Sequence, residues 1–147
     1  MFYGQYSHNL DDKNRLIIPA RFMKLLTPAA DETLFMTRGF GGGDCISFFP
    51  KDSWEELEAK FKTLNFFQPR ESRFLREMYM YTFDAKIDRQ NRILVPQTLL
   101  DLARIKDDVI LVGSGPRFEA WNPAVFEEYL NSGTETFDQT TEIVMKI

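Results

Sequence analysis

The residues best equipped for chemistry stand in two matched turns. Asp11-Asp12-Lys13-Asn14-Arg15 runs into Leu16-Ile17-Ile18-Pro19, and 77 residues later Asp88-Arg89-Gln90-Asn91-Arg92 runs into Ile93-Leu94-Val95-Pro96. Each copy places Asp four residues before Arg, then three apolar residues, then Pro. Arg carries a planar fork of donors that grips a phosphate or the edge of a guanine. Two carboxylates, Asp11 and Asp88, can also be read as a pair for a divalent cation or for acid–base work. A third reading needs no ligand: each Asp accepts backbone N–H bonds in its own turn and orients its own Arg, a clasp that serves structure alone. Asn14 and Asn91 suit the left-handed backbone such a turn requires.

Other reactive groups find no partners in the sequence. His8 is the one histidine and Cys45 the one cysteine, so neither a zinc site nor an intrachain disulfide can be built. His8 with Asp11 or Asp12 imitates two members of a triad, but no motif places a nucleophile beside them. Gly39-Phe40-Gly41-Gly42-Gly43 suggests a phosphate loop, yet Asp44-Cys45 follows where Lys-Ser or Lys-Thr is needed, and the next segment reads as strand rather than helix. The chain is therefore expected to be no enzyme, with no cofactor, no metal and no small-molecule substrate.

The turns need strands to hold them. Phe2, Gly4, Tyr6, His8 and Leu10 alternate before the first, and Tyr79, Tyr81, Phe83, Ala85 and Ile87 before the second, which is strand periodicity. Leu16–Ile18 is short and wholly apolar, and is expected to be buried on both faces or between the halves. Pro19 and Pro96 open short helices, the first of which Pro28 limits. Strands at 34–37 and 46–49 precede a helix over 52–64, with Asp52 or Ser53 as cap. Trp54, Leu57, Phe61 and Leu64 form its apolar face. A helix over 70–78 carries Arg70, Arg73 and Arg76 on its outer side. Strands at 109–112 and 118–121 follow, then a helix capped by Asn122 with Pro123 in its first turn. Residues 131–142 are polar and read as poorly ordered, and Ile143-Val144-Met145 as a final strand or a docking segment. Phe49, Trp54 and Glu55-Glu56 reappear in order as Trp121, Phe126 and Glu127-Glu128, which argues for two related halves.

Composition is that of a globular protein: 147 residues, 44% hydrophobic, 27% charged, net charge −4. An acidic balance argues against a nucleic-acid partner unless charge is segregated. Residues 11–24 hold Lys13, Arg15, Arg21 and Lys24 against Asp11 and Asp12, and residues 121–147 hold Glu127, Glu128, Glu135, Asp138 and Glu142 against Lys146, a distribution that permits a local basic face near the first turn without establishing one. Fourteen Phe residues exceed what a small core needs and point to a subunit interface. With no basic-then-apolar leader and no run near the roughly 18 apolar residues of a membrane helix, the expected compartment is the cytoplasm.

The duplicated turn with its apolar triplet and Pro resembles the MraZ family. So do the Phe2-x-Gly4-x-Tyr6-x-His8 opening, the helix start at Trp54, the Arg-x-x-x-Met-Tyr end of the helix before 79–87, and Phe118-Glu119-Ala120-Trp121. That family's turn carries Gly before Arg; Asn14 and Asn91 take the same backbone shape here at modest cost. The resemblance implies a mostly β fold with short helices (α+β), a duplicated AbrB-like swapped-hairpin β-barrel with pseudo-twofold symmetry. Its repeats would span 1–66 and 79–130 around a shared core, with a linker helix at 67–78 and a tail at 131–147. It implies a sequence-specific, autoregulatory transcriptional regulator, nucleoid-associated, that binds repeated boxes in double-stranded promoter DNA upstream of division and cell-wall genes. It implies a homo-oligomeric ring, octamer-like, with no membrane association. Carried onto this chain, the DNA contacts are Arg15 and Arg92, supported by Lys13, Arg21 and Arg89. Asp11, Asp88, Asn14 and Asn91 hold the turns. The competing readings are a structural or protein-interaction module that uses the Phe-rich faces and the Arg70, Arg73, Arg76 stripe, and a metal-dependent hydrolase centred on Asp11 and Asp88.

Overall fold

The computed structural model describes residues 1–26 and 32–147; the stop assigned to Pro28 lies outside them. Strands β1 (Gln5–Asn9) and β2 (Arg15–Ile17) flank the first turn, and β5 (Phe83–Lys86) and β6 (Arg92–Leu94) flank the second. Helix α1 (Ala20–Met23) follows the first Pro and α4 (Gln97–Ala103) the second. The remaining strands are β3 (Thr33–Arg38), β4 (Ile46–Pro50), β7 (Asp108–Ser114) and β8 (Arg117–Trp121). Helices α2 (Lys51–Phe61) and α3 (Pro69–Tyr79) separate the halves, and α5 (Pro123–Asn131) and α6 (Phe137–Met145) close the chain.

Six strands form one sheet in the order β1-β7-β8-β4-β3-β5, and β2 pairs with β6 in a separate two-stranded ribbon. Among the described residues all the strand pairings are antiparallel. The halves interlock, because β1 pairs with β7 and β5 with β3 across the duplication. The barrel expected from the resemblance is not formed. Strands β1 and β5 are the two edges of the larger sheet and do not meet, and the ribbon is a sheet of its own. The fold is a mixed α/β one with two sheet regions.

Alternation along the strands gives the larger sheet two covered faces. Leu34, Met36, Phe48, Leu111 and Phe118 point to one face, where they join Leu16, Ile18, Ile93 and Val95 of the ribbon and Phe22, Leu99 and Leu100 of the short helices in one core. Phe35 and Phe49 point to the other, where they meet Trp54, Phe61 and Met78 of α2 and α3 in a second cluster. Covered on both sides, β4 is buried along its whole length. Phe22 is the hub of the first core: its ring lies 4.8–5.2 Å from those of Phe2, Tyr6 and Phe118. The N-terminal segment crosses β7 so closely that a Cβ at Gly113 would overlap the backbone of Phe2 and Tyr3, so only glycine fits there.

Three further expectations change. The apolar triplets are not buried on both faces: Leu16 and Ile18 are, but Ile17 is 48% exposed, and Leu94 is 57% exposed between buried Ile93 and Val95. A ribbon lying on a core has one inner face, so alternate residues must point outward. Helix α2 has Pro50 at its N-cap with no side-chain cap; Asp52 instead accepts from the Ser53 N–H. Residues 137–145 form a helix rather than a strand. Thr136 and Gln139 cap it reciprocally, the Thr136 hydroxyl accepting the Gln139 N–H and the Gln139 side chain accepting the Thr136 N–H. Asn122 caps α5 as expected, with its side-chain oxygen accepting from Ala124 and Val125.

Candidate nucleic-acid interface

The two turns match atom for atom. In the first, Asp11 Oδ1 accepts the N–H groups of Lys13 (2.9 Å) and Arg15 (2.8 Å), and Oδ2 accepts Arg15 Nε (2.6 Å). In the second, Asp88 Oδ1 accepts the N–H groups of Gln90 (2.8 Å) and Arg92 (2.9 Å), and Oδ2 accepts Arg92 Nε (3.0 Å). Asn14 and Asn91 take φ of 60° and 61°, the left-handed values that Asn tolerates better than most residues. Their N–H groups donate back to the Asp11 and Asp88 carbonyls.

Each turn is also tied to the other half. The Val95 N–H donates to the Asn14 carbonyl, and the Ile18 N–H to that of Asn91. Asn14 Nδ2 donates to Gln97 Oε1 at 3.0 Å. Arg92 Nη1 lies 3.8 Å from Asp11 Oδ2, so both guanidinium groups converge on one carboxylate. The side chains of Arg15 and Arg92 are 28% and 24% exposed. Their Nε atoms are committed to the clasps, and the Nη edges are the part able to meet a ligand. Neither the cross-half pair nor the Asn14–Gln97 bond can be read from spacing in one strand.

Electrostatics keep the clasps charged. Desolvation works against the Asp11 carboxylate, but the Arg15 N–H, the Arg15 guanidinium and the Lys13 N–H outweigh it and hold its pKa below the ordinary value. At Asp88 the Arg92 N–H is the largest influence, opposed by desolvation and reinforced by the Gln90 N–H and the Arg92 side chain, and the pKa is again lowered. Lys13 and Arg89 are exposed at the tips. The tips thus carry Lys13, Arg15, Arg89 and Arg92 against Asp11, Asp12 and Asp88, a small positive excess. Arg21 stands apart from this network, with its guanidinium over the Tyr3 ring at 5.5 Å.

The ribbon lies on one face of the larger sheet, and the Glu-bearing helix α2 with α3 on the other. Negative charge at Glu55, Glu56 and Glu58 is therefore separated from the tips by the whole sheet. The remaining reactive groups stay scattered. His8 sits half-buried in β1 opposite Val109. Cys45 is buried, and desolvation with the nearby Glu119 charge pushes its thiol far up, away from thiolate chemistry. Among the described residues, no three His, Cys, Asp or Glu side chains are grouped to hold a metal ion. Nor is any helix among them long and apolar enough to cross a membrane.

A duplicated α/β unit that displays paired Asp–Arg turns on one ribbon defines the class of protein. Comparison with known proteins gives the family. The model of the "MraZ protein" family matches twice, over residues 1–77 and 78–145. A protein named "Transcriptional regulator MraZ" from Desulfitobacterium hafniense (strain Y51) is 33% identical over 147 residues, which is all of this chain and 99% of that one. Proteins of the same name from Oenococcus oeni (strain ATCC BAA-331 / PSU-1) and Thermoanaerobacter sp. (strain X514) are 37% and 36% identical over 142 residues, covering 97% of this chain and 95% of each of theirs. The chain belongs to the MraZ family.

Proposed function

We propose that the protein is a sequence-specific DNA-binding transcriptional regulator that controls its own promoter through repeated boxes upstream of division and cell-wall genes. One observation carries this reading: two Asp–Arg turns of identical hydrogen bonding, joined by the Arg92–Asp11 pair, present guanidinium groups on a single ribbon. A two-stranded ribbon fits a major groove. Arg15 and Arg92 are the principal contacts, with Lys13, Arg21 and Arg89 in support. Asp11, Asp88, Asn14 and Asn91 keep the turns in shape. The regulator names of the relatives support the same reading.

The small charge excess at the tips makes one chain a weak binder. Linked copies engage repeated boxes far more tightly through effective concentration. We therefore assign the working form to a homo-oligomeric ring, octamer-like, in the nucleoid-associated cytoplasm. Each chain contributes repeats 1–66 and 79–130 joined through 67–78, with 131–147 as a tail. Exposed Phe66 and Phe67, stacked at 4.5 Å, and exposed Phe137, Ile143 and Val144 provide apolar surface for self-association. The same surface keeps a protein-interaction module without DNA binding as the second reading.

A mobility-shift titration on the DNA upstream of the protein's own gene tests the proposal. Arg15→Ala with Arg92→Ala should abolish the specific shift while assembly mass and circular dichroism stay unchanged. Wild-type affinity should also fall steeply with salt as counterions are released from contacted phosphates. An unchanged shift in the double variant would put the DNA contact on other residues, and no shift by the wild-type protein would leave the interaction-module reading.

A further inference from the structure

Ile17 and Leu94 are the outward aliphatic residues of the ribbon, and both lie outside the core clusters. Their inward neighbours Leu16, Ile18, Ile93 and Val95 fill the core. Pairing register places Ile17 opposite Arg92 and Leu94 opposite Arg15. Directly opposed residues in an antiparallel pair share a face. The outer face is therefore a four-residue square of two guanidinium groups and two aliphatic side chains, with each aliphatic beside an Arg. The face is half exposed at Ile17 and Leu94.

We infer that Ile17 and Leu94 determine sequence specificity by seating the C5 methyl groups of thymines in the major groove. The inference rests on the reading of the ribbon as the DNA interface and names what that interface reads. A thymine presents a methyl group in the major groove, and a guanine presents two acceptors to an Arg. Charge selects this occupant over a protein: apolar contact is wanted at the same place as acceptors for two guanidinium groups, and the groove supplies both. Spacing fits as well. Arg15 and Ile17 are two residues apart on one strand, roughly 7 Å at the usual strand rise. That matches about two base-pair steps of duplex. The favoured element thus holds a thymine within about two steps of the base that meets the guanidinium.

The test uses the full-length protein and a duplex from the DNA upstream of its gene, trimmed to the shortest fragment that shifts. Each thymine is replaced in turn by uracil, which removes the methyl group and leaves the pairing edge unchanged. Losing one buried methyl contact should weaken wild-type binding about fourfold at one or a few positions. Ile17→Ser and Leu94→Ser should bind the thymine and uracil duplexes equally at those positions, with thermal unfolding and assembly mass as controls. Wild-type binding that ignores uracil at every position overturns the inference. So does methyl discrimination that survives both Ser variants, or a Ser variant that changes the assembly mass and leaves discrimination intact. An Arg15→Ala control separates the two levels: if it binds like wild type, the interface itself is misplaced; if it loses binding while uracil is silent, only the methyl assignment falls.

Discussion

Asn14→Ala probes whether the first turn is as tightly specified as its geometry implies. Asn14 sits at φ 60°, where a residue with a Cβ and no compensating polar side chain is disfavoured by about 1–2 kcal/mol. The substitution also removes the 3.0 Å bond from Asn14 Nδ2 to Gln97 Oε1, an exposed neutral bond of about 0.5–1 kcal/mol. The backbone bond from Val95 to the Asn14 carbonyl is retained only if the turn keeps its shape. The expected loss is about 1.5–3 kcal/mol, or roughly 4–10 °C in Tm for a chain of this size. Asn14→Gly is the matched control. It keeps the left-handed conformation and loses the side-chain bond plus roughly 0.5–1 kcal/mol in chain entropy, so it should lose about 1–2 kcal/mol, less than Ala. Urea unfolding at one fixed protein concentration reads both variants. If Ala and Gly are equally stable, the left-handed turn is not what fixes the ribbon, and the reasoning from Asn14 and Asn91 is wrong.

Phe22→Ala should cost about 3–5 kcal/mol, because a fully buried ring that touches Phe2, Tyr6 and Phe118 leaves a cavity the rigid sheet cannot fill; urea midpoints check this. The lowered pKa values of Asp11 and Asp88 make the clasps a source of stability that is whole above the ordinary carboxylate pKa near 3.8 and is lost as pH falls through the depressed values. Unfolding midpoints measured downward from pH 6 should therefore hold until about pH 4 and then drop, and Asp11→Asn with Asp88→Asn should make that drop shallower. The Cys45 thiol, buried and far from ionising, should resist a thiol reagent in the native protein and react fully in urea.

The turns were legible because their information is local. An Asp two and four residues before the N–H groups it accepts, and an Asn at the left-handed position, declare the turn within five residues. The interlocking of the halves was legible only as duplication. Whether β1 and β5 meet to close a barrel depends on long-range register and twist, which no local pattern states, and the resemblance supplied closure where the sheet stays open. Leu16-Ile17-Ile18 read as doubly buried because three apolar residues in a row carry no alternation; the single inner face of the ribbon became visible only with its pairing to β6. Helix α6 did carry a signal. Thr136 with Gln139 is a capping box, but the polar run around it and the β-branched Ile143-Val144 masked it. The Arg92–Asp11 pair joins residues from different turns and has no sequence signature at all.

Site-directed crosslinking measures directly whether the ribbon tips are the surface that meets a duplex. Cys45 is buried, so a photoreactive group can be placed selectively at Lys13→Cys or Arg89→Cys on the tips, or at Glu56→Cys on α2. Irradiation with upstream DNA should join the two tip variants to the duplex and leave the Glu56 variant free. Crosslinks from Glu56 with none from Lys13 or Arg89 would mean that the duplex lies against the helical face and that the paired Asp–Arg ribbon serves some other purpose.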